Sequence, residues 1–171
     1  MKPLFSLVLG FFLAAVLVPL QADDQGATVS VDGLFTYQAP PGWEIKEVGP
    51  SKLKVAVGPA KGGFGPNINV VNEDYDGALE KYVEASKAQL QKTDTFKNLT
   101  VVSETPFTAA NGARGVRLLI TDTVGSTDLQ QIFYFFDATK GKLVVTATCL
   151  AATGESFTPL FDASMKTFSP R

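Results

Sequence analysis

The chain has 171 residues, with 15 basic and 17 acidic side chains and a formal net charge of −2. It contains no histidine and one cysteine, Cys149. These counts exclude a Ser-His-Asp triad, a Cys-His dyad, histidine metal clusters, thiolate zinc sites and an intrachain disulfide. The slight acidic excess argues against a nucleic-acid-binding protein, because such proteins usually carry a basic surplus. The length suits one domain that buries its own core.

The first 22 residues have the order of a secretory signal peptide. Lys2 gives a short positive start, residues 4–18 are almost wholly apolar, and Pro19 and the small Ala22 precede two aspartates. An uncleaved anchor helix is the alternative, since the run just reaches the roughly 20 residues that span a bilayer. We therefore expect a cleaved leader over residues 1–22 and a periplasmic or secreted protein, with membrane contact only through the leader if it is retained.

The rest of the chain predicts a flexible segment over residues 23–30 and a single domain over residues 31–171. Alternating apolar and polar side chains predict strands at 34–38, 52–57, 67–71, 99–108, 113–121, 129–137 and 143–150. Asn111-Gly112 predicts a tight hairpin turn, whereas residues 122–128 are predicted to form a polar connection. The 129–137 strand is apolar on both faces, which predicts a central position covered on both sides.

Two helices complete the prediction, at about residues 76–92 and 156–168. Asp76 is the expected N-cap of the first helix, because its carboxylate can accept a first-turn N–H. Pro159 is expected in the first turn of the second helix, where its missing N–H costs nothing. No helical crossover joins parallel strands, so the predicted fold class is α+β, with a central antiparallel sheet and helices packed on its faces.

Four segments carry a resemblance to a known family. They are the opening FTYQAPPGW at 35–43, the strand NINV at 67–70, the strand end TATCLA at 146–151 and the closing FTPLFDASMKTF at 157–168. In order and spacing they resemble the PsbP-like family, which includes the periplasmic DcrB-like proteins and the Ran-binding Mog proteins, over residues 28–168. The resemblance implies an α/β/α sandwich and a non-enzymatic role in docking on a larger protein, often at a membrane surface. No position matches a binding motif of the family, so neither ion retention nor Ran binding is carried over.

The predicted interaction surface consists of Lys61, Phe64, Asp74 and Asp76. Residues 61–66 form a glycine-rich loop that lacks the ending of a phosphate loop. Phe64 is expected to be exposed there and to anchor a partner, because aromatic side chains dominate interface energetics. Asp74 and Asp76, with Asn72, offer oxygen ligands for calcium, although the spacing lacks the glycine and distal glutamate of a calcium loop. A solvated helix start is the alternative.

Two further residue types need a structural explanation. Arg114 and Arg117 fall on opposite faces of one predicted strand, so one of them faces a helix-covered side and needs a carboxylate or carbonyl partner. A structural ion pair is predicted, with an anion site as the alternative. Cys149 shares a strand face with apolar residues and has no histidine to activate it, which predicts a small buried side chain.

These patterns predict an exported, non-enzymatic binding or accessory protein that has no cofactor and docks on a protein partner at the cell envelope. A small-molecule or lipid carrier is the alternative, with a pocket between the sheet and the C-terminal helix. The predicted lining of that pocket is Phe133, Phe135, Phe157, Phe161 and Phe168. A third possibility is an enzyme that uses carboxylates only, which needs two acidic groups within about 10 Å across a cleft.

Overall fold

The computed structural model describes residues 26–60 and 62–171, so the predicted leader and Lys61 lie outside the described residues. The elements follow the chain as β1 Thr28–Val31, β2 Phe35–Gln38, β3 Glu44–Val48, β4 Leu53–Val57, β5 Asn67–Glu73, α1 Leu79–Lys92, β6 Lys97–Thr108, β7 Arg114–Val124, β8 Thr127–Asp137, β9 Lys142–Leu150, a 3₁₀ turn Ala151–Thr153, α2 Gly154–Lys166 and β10 Ser169–Pro170. No helix among these elements is long and apolar enough to cross a bilayer.

The strands form two antiparallel sheets. The large sheet has the order β3-β4-β5-β9-β8-β7-β6, and the small sheet has the order β1-β2-β10. Every neighbouring pair in the described chain is antiparallel. With two helices added to these sheets, the predicted α+β class is confirmed.

The large sheet is covered on both faces, and β8 shows this most directly. Phe133 and Phe135 project from one face into the cluster that contains the buried side of α1. Ile132, Tyr134 and Phe136 project from the other face into the cluster that contains α2 and the small sheet. Because strand side chains alternate between faces, a strand buried on both faces carries apolar side chains on both of them, as predicted. Each fully buried phenylalanine contributes roughly 1.5–3 kcal/mol through removal from water.

The α2 face is filled by ring contacts. Trp43 meets Phe157 and Phe161 edge to face, with ring centroids 6.3 and 5.9 Å apart. Phe168 stacks on Phe136 at 4.6 Å. The carrier lining predicted from sequence is wrong in its arrangement, because Phe133 and Phe135 lie on the opposite face of the sheet from these rings.

The observed strands differ from the predicted ones in three places. Residues 28–30 belong to β1, which pairs with β2, where a flexible segment was expected. β3 was not predicted, because its alternating lysine and glutamates give little apolar signal. Residues 122–124 and 127–128 extend the strands on either side of Gly125 and Ser126, so the expected polar connection is a two-residue turn. Val124 pairs with Thr127, and Gly125 has the positive φ that such a turn needs.

Both helix starts differ from the prediction. The N-cap of α1 is Ala78 rather than Asp76, and no side chain caps the helix. The helix begins at Leu79, which is also the first residue of its buried stripe. Because α2 begins at Gly154, directly after the 3₁₀ turn, Pro159 lies in its second turn.

A polar network ties α2 to the sheet. Arg117 Nε donates to Asp162 Oδ1 at 2.8 Å, and the Tyr134 hydroxyl donates to the same oxygen at 2.5 Å. This confirms the predicted structural ion pair and identifies Arg117, rather than Arg114, as the helix-facing arginine. Burial, and then the hydrogen bond to Asp162, raise the pKa of Tyr134. Cys149 is fully buried, as predicted.

Candidate functional site

A cleft of about 600 Å³ lies where β4 and β5 separate, and we call it the β4–β5 cleft. It is lined by three stretches of chain: the turn between β1 and β2, the start of β4 with the turn before it, and the end of β5. The lining residues are Ser30, Val31, Asp32, Leu34, Phe35, Ser51, Lys52, Leu53, Lys54, Val70, Val71, Asn72 and Glu73. Consecutive residues of each strand contribute, so the cleft runs along strand edges.

The cleft exists because the ladder between β4 and β5 stops early. Its register covers Val57 with Asn67, Ala56 with Ile68 and Val55 with Asn69. β5 continues to Glu73, and this continuation is paired with β9 alone. The start of β4 is likewise paired with β3 alone. The two strands therefore diverge beyond Asn69 and leave a strand edge inside the large sheet.

One hydrogen bond shows which β5 residues present their backbone to this cleft. The N–H of Gly58 donates to the carbonyl of Pro66 at 2.8 Å. In an antiparallel ladder the N–H and C=O of one residue point to the same neighbouring strand, and successive residues alternate. Even-numbered residues of β5 therefore point toward β4 and odd-numbered residues toward β9. Beyond Asn69, the residues that point toward the cleft are Val70, at its narrow end, and Asn72, at its open end.

The wall on the α2 side of the cleft is apolar. Phe35 and Val70 are 3 % exposed, and Val31 and Leu34 pack partly buried against the same cluster. Lys54 crosses to this wall, where its ammonium donates to the carbonyl of Ser30 at 2.9 Å. That bond ties β1 to β4.

The mouth of the cleft carries charges of both signs, from Asp32, Lys52, Lys54 and Glu73. Burial raises the pKa of Glu73, whose side chain is half-buried. Lys142 lies opposite Glu73 in the register but forms its ion pair with Asp137, at 2.9 Å. An apolar wall with a few directed polar groups is the usual composition of a binding site, and this cleft is within the usual size range.

Of the predicted interaction surface, the structure describes Phe64, Asp74 and Asp76, and it separates Phe64 from the two aspartates. Phe64 is 8 % exposed, so the predicted exposure of its side chain is wrong. Its loop is closed by the Gly58–Pro66 hydrogen bond and by Asn67, which donates to the carbonyl of Gly65. The loop therefore folds back toward the sheet and removes the ring from water.

Asp74 and Asp76 are exposed and follow the end of β5, close in sequence to the cleft residue Glu73. They lie at the opposite end of β5 from the loop that carries Phe64. Across the described ranges, no group of three or more acidic or cysteine side chains is arranged to hold a metal ion. Sequence reasoning missed Leu34 and Leu53, and it considered Asn72 only as an oxygen ligand for calcium. The sequence signal for the cleft was that polar residues prolong β5 past its predicted end.

A scan against protein-family models and a search of curated proteins found no match. Solved structures do match. PA94 of Pseudomonas aeruginosa, a protein of unknown function proposed to be a regulator, is 17 % identical with a TM-score of 0.62, covering 85 % of this chain and 96 % of that one. LpqN of Mycobacterium tuberculosis, which is involved in cell envelope biogenesis, is 13 % identical with a TM-score of 0.58, covering 84 % and 89 %.

The cyanobacterial PsbP protein (CyanoP) of Synechocystis sp. PCC 6803 gives a similar result. It is 13 % identical with a TM-score of 0.58, and the match covers 85 % of this chain and 92 % of that one. Identities this low show a common fold and carry no information on activity. They confirm the resemblance on which the predicted architecture rested: this chain has a PsbP-like fold.

Proposed function

We propose that this chain is an exported, non-enzymatic binding or accessory protein that docks on a protein partner at the cell envelope through the β4–β5 cleft. The observation that carries the proposal is the early end of the β4–β5 ladder, which leaves a strand edge beside an apolar wall. A surface of this kind binds by complementarity, and no bond needs to be made or broken.

The fold and the predicted leader support this proposal. LpqN, which shares the fold, is involved in cell envelope biogenesis, and a PsbP protein shares it as well. The apolar first 22 residues of this chain have the order of an export signal, which supports a periplasmic or secreted location. Together, these features support an accessory role at the envelope.

Photocrosslinking in the native host tests the proposal. A photoreactive amino acid replaces Lys52, which is exposed at the mouth of the cleft, and in a matched strain it replaces Gln91, which is exposed on α1. We expect position 52 to crosslink one envelope protein that position 91 does not. Identical crosslinking patterns from the two positions would contradict the proposal.

A pair of leucine substitutions tests whether the crosslink depends on the cleft. Leu53→Glu places a charge in the cleft wall, whereas Leu160→Glu places the same charge on the exposed side of α2. We expect the position 52 crosslink to be lost with Leu53→Glu and kept with Leu160→Glu, with both proteins folded by circular dichroism. Loss of the crosslink in both variants would argue against the cleft as the docking surface.

A further inference from the structure

We propose that the partner docks by strand addition: an extended segment of the partner pairs with β5 along Val70–Glu73 inside the β4–β5 cleft. This inference rests on the proposed docking function and specifies its chemistry. The partner supplies a β-strand, and main-chain hydrogen bonds to this chain provide much of the affinity.

The backbone of Asn72 is the principal pairing group. Its N–H and C=O point toward the cleft because even-numbered residues of β5 face β4, and the pairing of β4 with β5 has already ended at Asn69. Asn72 is exposed, so its N–H and C=O exchange bonds with water for bonds with an incoming strand. The adjacent residues Val71 and Glu73 point their backbones toward β9, and their pairing is unchanged by docking.

The cleft has about the volume of a short strand. A four-residue strand is about 13 Å long and occupies about 4.8 Å in the direction of pairing and about 10 Å between sheet faces, which is roughly 600 Å³. The cleft volume is about 600 Å³. The length of the unpaired edge, Val70–Glu73, is also that of a four-residue segment.

The side chains around the edge define the segment that fits. Positions that face the α2 side meet Val31, Leu34 and Phe35, so they require apolar side chains. At the mouth, Glu73 is half-buried and its nearest lysine across the ladder, Lys142, pairs with Asp137. A basic side chain of the partner complements Glu73, and an acidic one complements the lysines at the start of β4. The expected segment is therefore extended and alternating, with apolar residues inside and charges of both signs at its ends.

A random peptide library displayed on phage, selected against the purified domain, supplies the probe. We expect enriched peptides to share an alternating apolar pattern with flanking charges. The best enriched peptide is synthesised, and its dissociation constant is measured by fluorescence anisotropy. Failure to enrich any alternating peptide would overturn the strand-addition proposal.

A matched pair of variants isolates the backbone donor. Asn72→Pro removes the N–H that faces the cleft, whereas Asn72→Thr removes the same carboxamide and keeps the N–H. Both substitutions remove the side-chain amide that donates to the carbonyls of Lys140 and Lys142, so the two variants differ only in the backbone N–H. Since one hydrogen bond and the fit around it are lost, we expect Asn72→Pro to bind the peptide roughly tenfold more weakly than Asn72→Thr. Equal binding by the two variants would overturn the proposal.

Amide hydrogen exchange provides a second measurement that does not depend on the folding of the proline variant. In the unsubstituted protein, we expect the peptide to slow exchange at Asn72 and to leave Asn69, which already points toward β9, unchanged. Unchanged exchange at Asn72 would overturn strand addition. If the crosslink from position 52 persists while these peptide results are negative, docking at the cleft stands and only its strand-addition mechanism fails.

Discussion

Asp162 joins α2 to the sheet through two hydrogen bonds, and its replacement by alanine gives a quantitative test. Its carboxylate accepts from Arg117 at 2.8 Å and from the hydroxyl of Tyr134 at 2.5 Å. The Arg117 side chain is 13 % exposed and Tyr134 is fully buried. Asp162→Ala therefore leaves a largely buried guanidinium and a buried hydroxyl without their acceptor.

The expected cost follows from these burials. Breaking a buried ion pair costs about 3–5 kcal/mol, and leaving a neutral donor unsatisfied costs about 1–3 kcal/mol. The Asp162 side chain is 35 % exposed, so water can partly replace its oxygens, and the total cost falls below the sum of these two costs. We expect Asp162→Ala to reduce the free energy of unfolding by about 3 kcal/mol, which is a large fraction of the stability of a typical domain.

Urea denaturation followed by tryptophan fluorescence measures this change. Trp43 packs against Phe157 and Phe161 of α2, so its emission reports on the same interface. The control repeats Asp162→Ala in a background that carries Arg117→Met and Tyr134→Phe. Because no donor is then left unsatisfied, we expect a cost of less than about 1 kcal/mol there. Equal costs in the two backgrounds would refute the reasoning.

Three further predictions follow from buried groups. Burial raises the pKa of Asp122 from its ordinary 3.8, so the folded state keeps this proton to a higher pH than the unfolded chain does. The folded state therefore loses stability as the pH rises through that interval. In thermal melts, we expect Asp122→Asn to be more stable than the unsubstituted protein at pH 7 but not at pH 3. A Cβ at Gly115 would lie 2.3 Å from the carbonyl oxygen of Phe135, so in urea titrations we expect Gly115→Ala to lower the free energy of unfolding by more than about 2 kcal/mol. Gly125 has a positive φ but no atom within 4 Å of a Cβ, so we expect Gly125→Ala to lower it by about 1 kcal/mol. Burial raises the pKa of Cys149 to about 11, so Ellman's reagent should label this thiol only after unfolding; rapid labelling of the native protein would contradict its burial.

The fold was predictable where burial repeats along the sequence. The 129–137 strand is apolar on both faces because it is central and covered on both sides. The helix stripe of Leu79, Tyr82, Val83, Ser86 and Leu90 is visible from spacing alone and is buried as predicted. In both cases the pattern depends on one segment and the period of its own side chains.

The candidate site could not be predicted in the same way. The cleft depends on where pairing between β4 and β5 ends and on the β1–β2 turn that lines it, so it is a property of three separate segments of the chain. Phe64 shows the converse error, in which the sequence predicts an exposed residue that the structure buries. An aromatic residue in a glycine-rich loop suggests exposure, but the loop is closed by hydrogen bonds at its base and folds back on the sheet.

The small sheet has a consequence for how the molecule reaches its native state. β2 lies between β1, from the start of the described chain, and β10, from its final residues. The backbone of Arg171 also donates to the carbonyl of Leu34. Contacts between such distant parts of a chain form slowly, because a long loop must close before they give any stabilisation. β10 therefore joins the β1–β2 hairpin only after the described chain up to Pro170 has been synthesised, and a truncation before Ser169 leaves β2 with one open edge.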